Sequence, residues 1–341
     1  MLRKAGERTV NDGKKLALLG AAVLCLYLFC SGPDEASASL ETLPAASTPV
    51  QSASPELMEA PKETVAATLL RSPASASEKW EESFFTPSRA EEAVRMTISS
   101  SVPVKNETDY LIDDAAAIKR GTSLRLAAEG PQILIIHTHS SEAYTPAGLD
   151  RYEPTDNTRT EDPEHNIIRV GDELTRLFEQ AGLRVIHDRG VYDYPSYTGS
   201  YGRSGAAVEQ YLCDYPSITV VLDVHRDALG AEDVIYKTVA EEDGTCASQA
   251  MLLVGTDESG LEHPNWRENL SFALYLQSAL SAAHPTLMRP VAVVPQRYNQ
   301  QLCPGMLILE VGSSGNTMQE ALAAVRLFAE AAAPALLALV G

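Results

Sequence analysis

From Pro131 onward the chain alternates between apolar runs that suit strands and periodic runs that suit helices. QILIIHTH is short, apolar and β-branched, hence a strand. In NIIRVGDELTRLFEQAGL, Ile167, Val170, Leu174, Leu177 and Phe178 recur at the three- and four-residue spacing of one helix face, and Gly182 supplies the stop. LRVIHD predicts the next strand, and AAVEQYLCDY a short helix stopped by Pro216. SITVVLDVH is apolar without alternation, the pattern of a strand covered on both faces. VIYKTVAEEDGTCASQAMLLVGT predicts two strands around a glycine turn, and PNWRENLSFALYLQSALSAAHP a helix with Leu270, Ala273, Leu274, Gln277 and Leu280 on one stripe. PVAVVPQ and GMLILEVGS are further strands. Thr317 and Glu320 offer a capping box before a last helix that Pro334 is expected to kink or end. This order predicts an α/β domain over 130–341: a single mixed, mostly parallel sheet flanked by helices.

The pattern before residue 130 is different. Arg3, Lys4, Arg8, Lys14 and Lys15 precede an uncharged apolar run, Leu16 to Cys30. Basic residues ahead of such a run favour an inside N-terminus and an exported remainder. Residues 1–32 are therefore expected to be a basic leader and transmembrane anchor. The alternative is a signal peptide, for which Ala36-Ser37-Ala38 offers a small-residue cleavage site. Either reading places the C-terminal domain outside the cytoplasm, and the anchor makes the protein a single-pass protein of the cell membrane. Residues 33–129 read as a largely disordered linker, rich in Ala, Ser, Pro, Glu and Thr to about Glu92. Trp80, Phe84 and Phe85 interrupt it, as a sticky spot or a docking element. Residues 97–129 regain apolar character and are expected to pack on the edge of the domain that follows.

Composition narrows the function. The 341 residues carry 27 basic and 46 acidic side chains, a formal charge of -19, which excludes a nucleic-acid partner bound through its phosphates. Five cysteines do not make a disulfide scaffold, and Cys213, Cys246 and Cys303 read as buried small hydrophobes. All seven histidines lie from residue 137 onward. Three predicted strands end in polar residues. QILIIHTH ends in His137, Thr138 and His139, with Glu142 three residues on. TVVLDVHRD ends in Asp223, His225, Arg226 and Asp227, and MLILEVGSSGN holds Glu310. Ligands of open α/β sheets gather at the carboxyl ends of strands. Histidines with a carboxylate suit zinc, and a further carboxylate beside it suits a general base. His137 and His139, with Glu142 three residues on, strengthen the metal reading because both rings alternate onto one face of the strand. Glu310 inside an apolar strand is costly to bury unless it is functional or paired, for instance with Arg226 or Arg297. His165, His187, His263 and His284 receive no role. The sequence has no G-x-S-x-G, H-E-x-x-H, P-loop or Rossmann fingerprint.

IIHTHSSEAY, HNIIRVGDELTRLFEQAGLRVIHDR, VVLDVHRDA and YNQQLCPGMLILEVGSSGNT, in this order over about Pro131 to Leu322, resemble the stage II sporulation protein P family. That family is similar to zinc-dependent N-acetylmuramoyl-L-alanine amidases. The resemblance implies a zinc-amidase-like fold and peptidoglycan hydrolysis in septal wall degradation and engulfment during sporulation. It further implies stage II sporulation proteins D and M as partners. Carried onto this chain, it implies His225 as a zinc ligand and Glu310 as the catalytic glutamate. His139 takes the first histidine position, with His137 as its alternative. For the ligand carboxylate the resemblance points to the segment just before the helix, with Glu161, Asp162 and Glu164 as candidates; Glu142, close to His139, competes with them and is preferred. Arg226 is a candidate to orient a substrate carboxylate. The implied reaction is cleavage of the amide between N-acetylmuramic acid and L-alanine, with cross-link endopeptidase action as an addition. A non-catalytic wall-binding scaffold and a zinc carboxypeptidase or endopeptidase of the wall are the alternatives.

Overall fold

A computed structural model describes residues 102–148, 150, 158–231, 234–242 and 244–341. The run Leu16 to Cys30, the linker to Glu92 and its aromatic residues Trp80, Phe84 and Phe85 lie outside these residues. Among the described residues no helix is long and apolar enough to cross a membrane.

Seven strands form one sheet in the order β1 (Val104–Asn106), β10 (Val291–Val294), β9 (Ala250–Gly255), β11 (Met306–Ser313), β4 (Val220–Asp227), β2 (Ile133–Ile136) and β3 (Val185–His187). Every pairing within it is parallel except β9 against β11. The expected mixed, mostly parallel sheet is thus present. Its lead-in does more than pack on an edge, since β1 is the edge strand and pairs with β10. Five helices accompany the sheet among the described residues: α1 (Asp114–Arg120), α2 (Ile167–Gln180), α3 (Ser200–Asp214), α4 (Trp266–Ala283) and α5 (Met318–Leu337).

Period-2 alternation divides the core between the two faces of the sheet. Ile133, Ile135, Val220, Leu222, Val224, Leu307, Leu309 and Val311 join one large cluster with α2, α4 and α5. The intervening Leu134, Ile136 and Val221 meet Val208 of α3, Cys303 and Met306 in a much smaller cluster. The second face therefore has less apolar cover. Asp223, His225 and Glu310 fall on it by strand parity, at the end where the cover runs out.

Local chemistry explains the helix limits. Asn166 caps α2 by accepting from Ile168 N, and Gly182 just beyond its end takes φ 98°, which costs glycine little. The Thr317–Glu320 capping box starts α5 as expected. Pro334 does not end that helix. The chain stays helical to Leu337, because Ala335 and Leu336 remain packed in the core. The glycine turn also differs: Gly244 lies in a short hairpin of β7 (Ala240–Glu242) with β8 (Thr245–Ala247), and β9 is a separate strand of the main sheet. A second hairpin pairs β5 (Gly230–Ala231) with β6 (Val234–Ile235). The cysteine expectation needs correcting as well. Cys303 is buried, but Cys213 and Cys246 are exposed. Cys213 lies off the stripe of Ser200, Ser204 and Val208 that α3 buries.

Candidate metal centre

Strand order places the chemistry. The chain leaves β2 for β3 on one side and returns through α3 to β4 on the other side of β2. The ends of β2 and β4 are therefore a switch point, where loops diverge and leave a crevice. His139 and Glu142 lie in the turn after β2, and His225 near the end of β4. Glu310 of β11 stands directly opposite His225 in the parallel register.

The structure brings His139, Glu142 and His225 together. One ligand atom from each can be chosen so that all lie within 4.8 Å of one another, and all three residues are buried. His139 Nδ1 is 3.4 Å from Glu142 Oε1, and His225 Nδ1 is 3.3 Å from Glu142 Oε2. The two imidazoles meet edge to face, 5.0 Å between centroids. His139 Nε2 is enclosed without a hydrogen-bond partner. Two imidazoles and one carboxylate are a donor set suited to a divalent transition metal. This buried group could hold such an ion.

Electrostatics agree with that composition. Burial works against charging Glu142, but His225, with His139 and Arg226, holds its carboxyl well below the usual range. Burial works against charging His225 too, yet Asp223 and Glu142 raise it well above an ordinary imidazole. Asp223 Oδ1 lies 2.9 Å from His225 Nε2, a close charge contact without good N–H alignment. Glu310 behaves oppositely. Burial, reinforced by Glu142 and Asp227 and opposed by His225 and Arg226, pushes it up to about 8. Its Oε2 is enclosed and has no hydrogen-bond partner. Neither arginine proposed as a salt-bridge partner reaches it: Arg297 Nη1 donates to Glu262 O at 3.1 Å, and Arg226 is occupied elsewhere. A carboxyl that titrates near neutrality beside two imidazoles and a carboxylate has the properties of a general base.

Other candidates are placed differently. His137 does not join the group. Its Nδ1 faces Val224 O at 2.9 Å and its Nε2 faces His187 Nε2 at 2.8 Å. β2 ends at Ile136, so the one-face expectation for His137 and His139 fails because both lie in the turn. Arg226 also departs from expectation. Its Nε donates to Ala143 O at 2.9 Å and its Nη2 to Thr158 O at 3.0 Å and Thr158 Oγ1 at 3.1 Å, while its backbone N donates to Glu142 Oε2 at 3.1 Å. That guanidinium fixes the loops around Glu142 instead of presenting a fork to substrate. The rival carboxylates stay out: Asp162 contacts His165 at 2.8 Å, and Glu161 and Glu164 are not in the group. His263 and His284 are buried in other parts of the fold.

Sequence reasoning gave no role to several residues that support the centre. Asp223 accepts from Thr138 N at 2.8 Å and Thr138 Oγ1 at 2.7 Å, tying the first loop to β4. Its signal was available, since it sits two residues before His225 on the same strand face. Asp193, Arg159, Tyr197 and Tyr201 come from other segments, and no spacing in the sequence connects them to the histidines. Tyr197 stacks on His139 with centroids 4.6 Å apart, and Tyr201 meets it edge-on at 5.4 Å.

A family profile for stage II sporulation protein P matches residues 46–333, most of the chain. The chain belongs to the stage II sporulation protein P family. Stage II sporulation protein P of Bacillus subtilis (strain 168) is 26% identical over 203 residues, covering 55% of this chain and 47% of that relative. The match thus spans about half the length of the curated relative. Among solved structures, this member of the stage II sporulation protein P family is similar to an N-acetylmuramoyl-L-alanine amidase, AmiC2 of Nostoc punctiforme, at 12% identity and a TM-score of 0.36, covering 62% of this chain and 98% of that one. It is also similar to the CwlD amidase of Clostridioides difficile in complex with the GerS lipoprotein, at 14% identity and a TM-score of 0.37, with 61% and 98% covered. For the Ami1 amidase of Mycobacterium abscessus the figures are 13% and 0.38, with 62% and 99% covered.

Proposed function

We propose that the protein is a zinc-dependent peptidoglycan hydrolase of sporulation that cleaves the amide between N-acetylmuramic acid and L-alanine. Membership of the stage II sporulation protein P family supports the setting. The observation that carries the chemistry is the buried His139–Glu142–His225 group with Glu310 beside it, whose Oε2 is enclosed and unpartnered. His139, Glu142 and His225 would hold zinc, which supplies Lewis-acid chemistry for amide hydrolysis when bound. Glu310 takes the proton of the attacking water and passes it to the leaving nitrogen as the carbon–nitrogen bond breaks. Its carboxyl must be charged to do so. Titrating at about 8 without a cation, it comes down beside positive charge. Asp223 holds His225 from behind, as supporting carboxylates do for metal-bound imidazoles. Cross-link endopeptidase action, stage II sporulation proteins D and M as partners, and anchoring of an extracytoplasmic domain through the apolar run Leu16 to Cys30 complete the proposal.

Digestion of purified sacculi followed by mass spectrometry tests it. Intact stem peptides should be freed from the glycan, chelation should stop their release, and added zinc should restore it. Fragments cut within the stem would instead mark a carboxypeptidase or endopeptidase. Sacculus binding with no zinc uptake and no cleavage would mark a scaffold.

A further inference from the structure

Asp193 is a charged group far from the metal loop in sequence, yet its side chain has no exposed surface in the fold. It accepts from Ser140 Oγ at 3.0 Å, Ser141 N at 3.2 Å, Ser141 Oγ at 2.6 Å and Arg159 Nη1 at 2.7 Å. One carboxylate thus grips the two residues between His139 and Glu142. The same Arg159 bonds Ser141 Oγ at 3.0 Å and holds its Nη2 3.5 Å from Glu142 Oε1. The Arg159 guanidinium also stands 5.0 Å over the ring of Tyr197, which stacks on His139. The pair therefore reaches one residue of the metal group directly and a second through Tyr197. Burying an ion pair is a poor source of stability, because desolvation offsets most of the attraction. Its placement against two members of one site calls for another reason.

We propose that Asp193 and Arg159 are a positioning pair, which holds the Glu142 carboxylate and the His139 ring in the arrangement a divalent cation requires. This rests on the metal reading above. It differs from a purely structural role in what it predicts for metal affinity. A structural pair, once both charges are removed, leaves affinity alone. A positioning pair does not.

Zinc affinity of the full chain, measured by competition with a chromogenic chelator, separates the two, read alongside the metal-free melting temperature. The double variant Asp193→Asn with Arg159→Gln removes both charges of the pair together. It should melt close to the parent and bind zinc about 10- to 100-fold more weakly, the range for groups that orient metal ligands. Arg159→Lys, which keeps a cation, should lose less affinity than Arg159→Gln. Ser141→Ala, which removes one shared contact and leaves both charges, should weaken binding severalfold and serves if the double variant does not fold. A parent that binds zinc together with folded variants that bind it equally well overturns the positioning role alone. A parent that takes up no zinc overturns the metal reading and this inference together.

Discussion

His137 and His139 are two residues apart in one motif, and the fold gives them opposite surroundings. His139 turns toward Glu142 and His225 and keeps an unpartnered Nε2. His137 turns the other way and has both ring nitrogens engaged, by Val224 O and by His187. Burial, with the neighbouring His187, drives the His137 pKa down to about 3, while the carboxylates Asp223 and Glu142 push His225 well up. Burial is common to both regions; the difference is the company. Where carboxylates face a buried imidazole, a cation is favoured at the site. Where a carbonyl and a second imidazole face it, the ring stays neutral and serves as a brace between β4, α2 and β3.

The largest test of this contrast exchanges the two histidines for alanine in turn. Zinc binding in small folded sites is worth about 10–16 kcal/mol. Shared among a few ligands, each accounts for roughly 3–4 kcal/mol, a factor of about 10²–10³ in affinity. His139→Ala should lose that much and release no stem peptide from sacculi. His137→Ala should keep zinc affinity within about tenfold of the parent and lose about 1–3 kcal/mol of folding stability, from the hydrogen-bonding groups left unpaired. Equal loss of zinc by both variants would break the contrast.

Glu310→Gln comes next. Cleavage should fall by about 10²–10⁴, the usual contribution of a general base, with zinc retained. Stability of the metal-free protein should move the other way. The folded carboxyl titrates at about 8 against a reference of 4.5. Between those values the unfolded chain sheds its proton first, so the folded state loses roughly 1.4 kcal/mol per pH unit from this group as pH rises. The glutamine variant should therefore resist urea better than the parent at pH 8, with the gap closing toward pH 5. A variant no more stable at pH 8 would remove the enclosed-carboxyl reading of Glu310.

Much of this contrast could be read from the sequence, and the unread part has a physical cause. The pattern of apolar runs ending in polar residues gathered His139, His225 and Glu310 at one end of the sheet, because open α/β sheets collect their ligands at the carboxyl ends of strands. It could not say where β2 stops, and that single boundary decides whether His137 and His139 share a face. Arg226 looked free for substrate because sequence does not show that Ala143 and Thr158 bring carbonyls to it. Asp193 and Arg159 were invisible for the same reason: their pairing is tertiary, made by loops that carry no period.

A smaller perturbation probes the brace alone. Gly171 of α2 lies against the paired rings. A Cβ there would stand 2.6 Å from His187 Nε2 and closer still to His137 Nε2. Gly171→Ala must push the rings apart, at the usual overpacking cost of about 1–3 kcal/mol. Urea unfolding should show that loss, while zinc affinity stays near the parent's because Glu142, His139 and His225 are untouched. A large drop in affinity would mean that the brace and the metal group are one unit.

The smallest effect distinguishes the two histidines by counting protons. A metal ligand must give up its proton on binding. His225 is raised in the metal-free protein and so carries one at neutral pH, whereas His137 at about 3 carries none. Zinc uptake through His225 should therefore release a proton, and affinity should fall as pH falls, by up to tenfold per unit, or about 1.4 kcal/mol. Glu310 would contribute too, since a nearby cation favours its ionised form. In the Glu310→Gln background only the imidazole proton should remain. Calorimetric titration of zinc at pH 7, repeated in buffers of different ionisation enthalpy, reads that number directly. Proton release that persists in Glu310→Gln fits His225 as the ligand. Its disappearance there would mean that the ion sits against imidazoles already neutral, which is the state of His137.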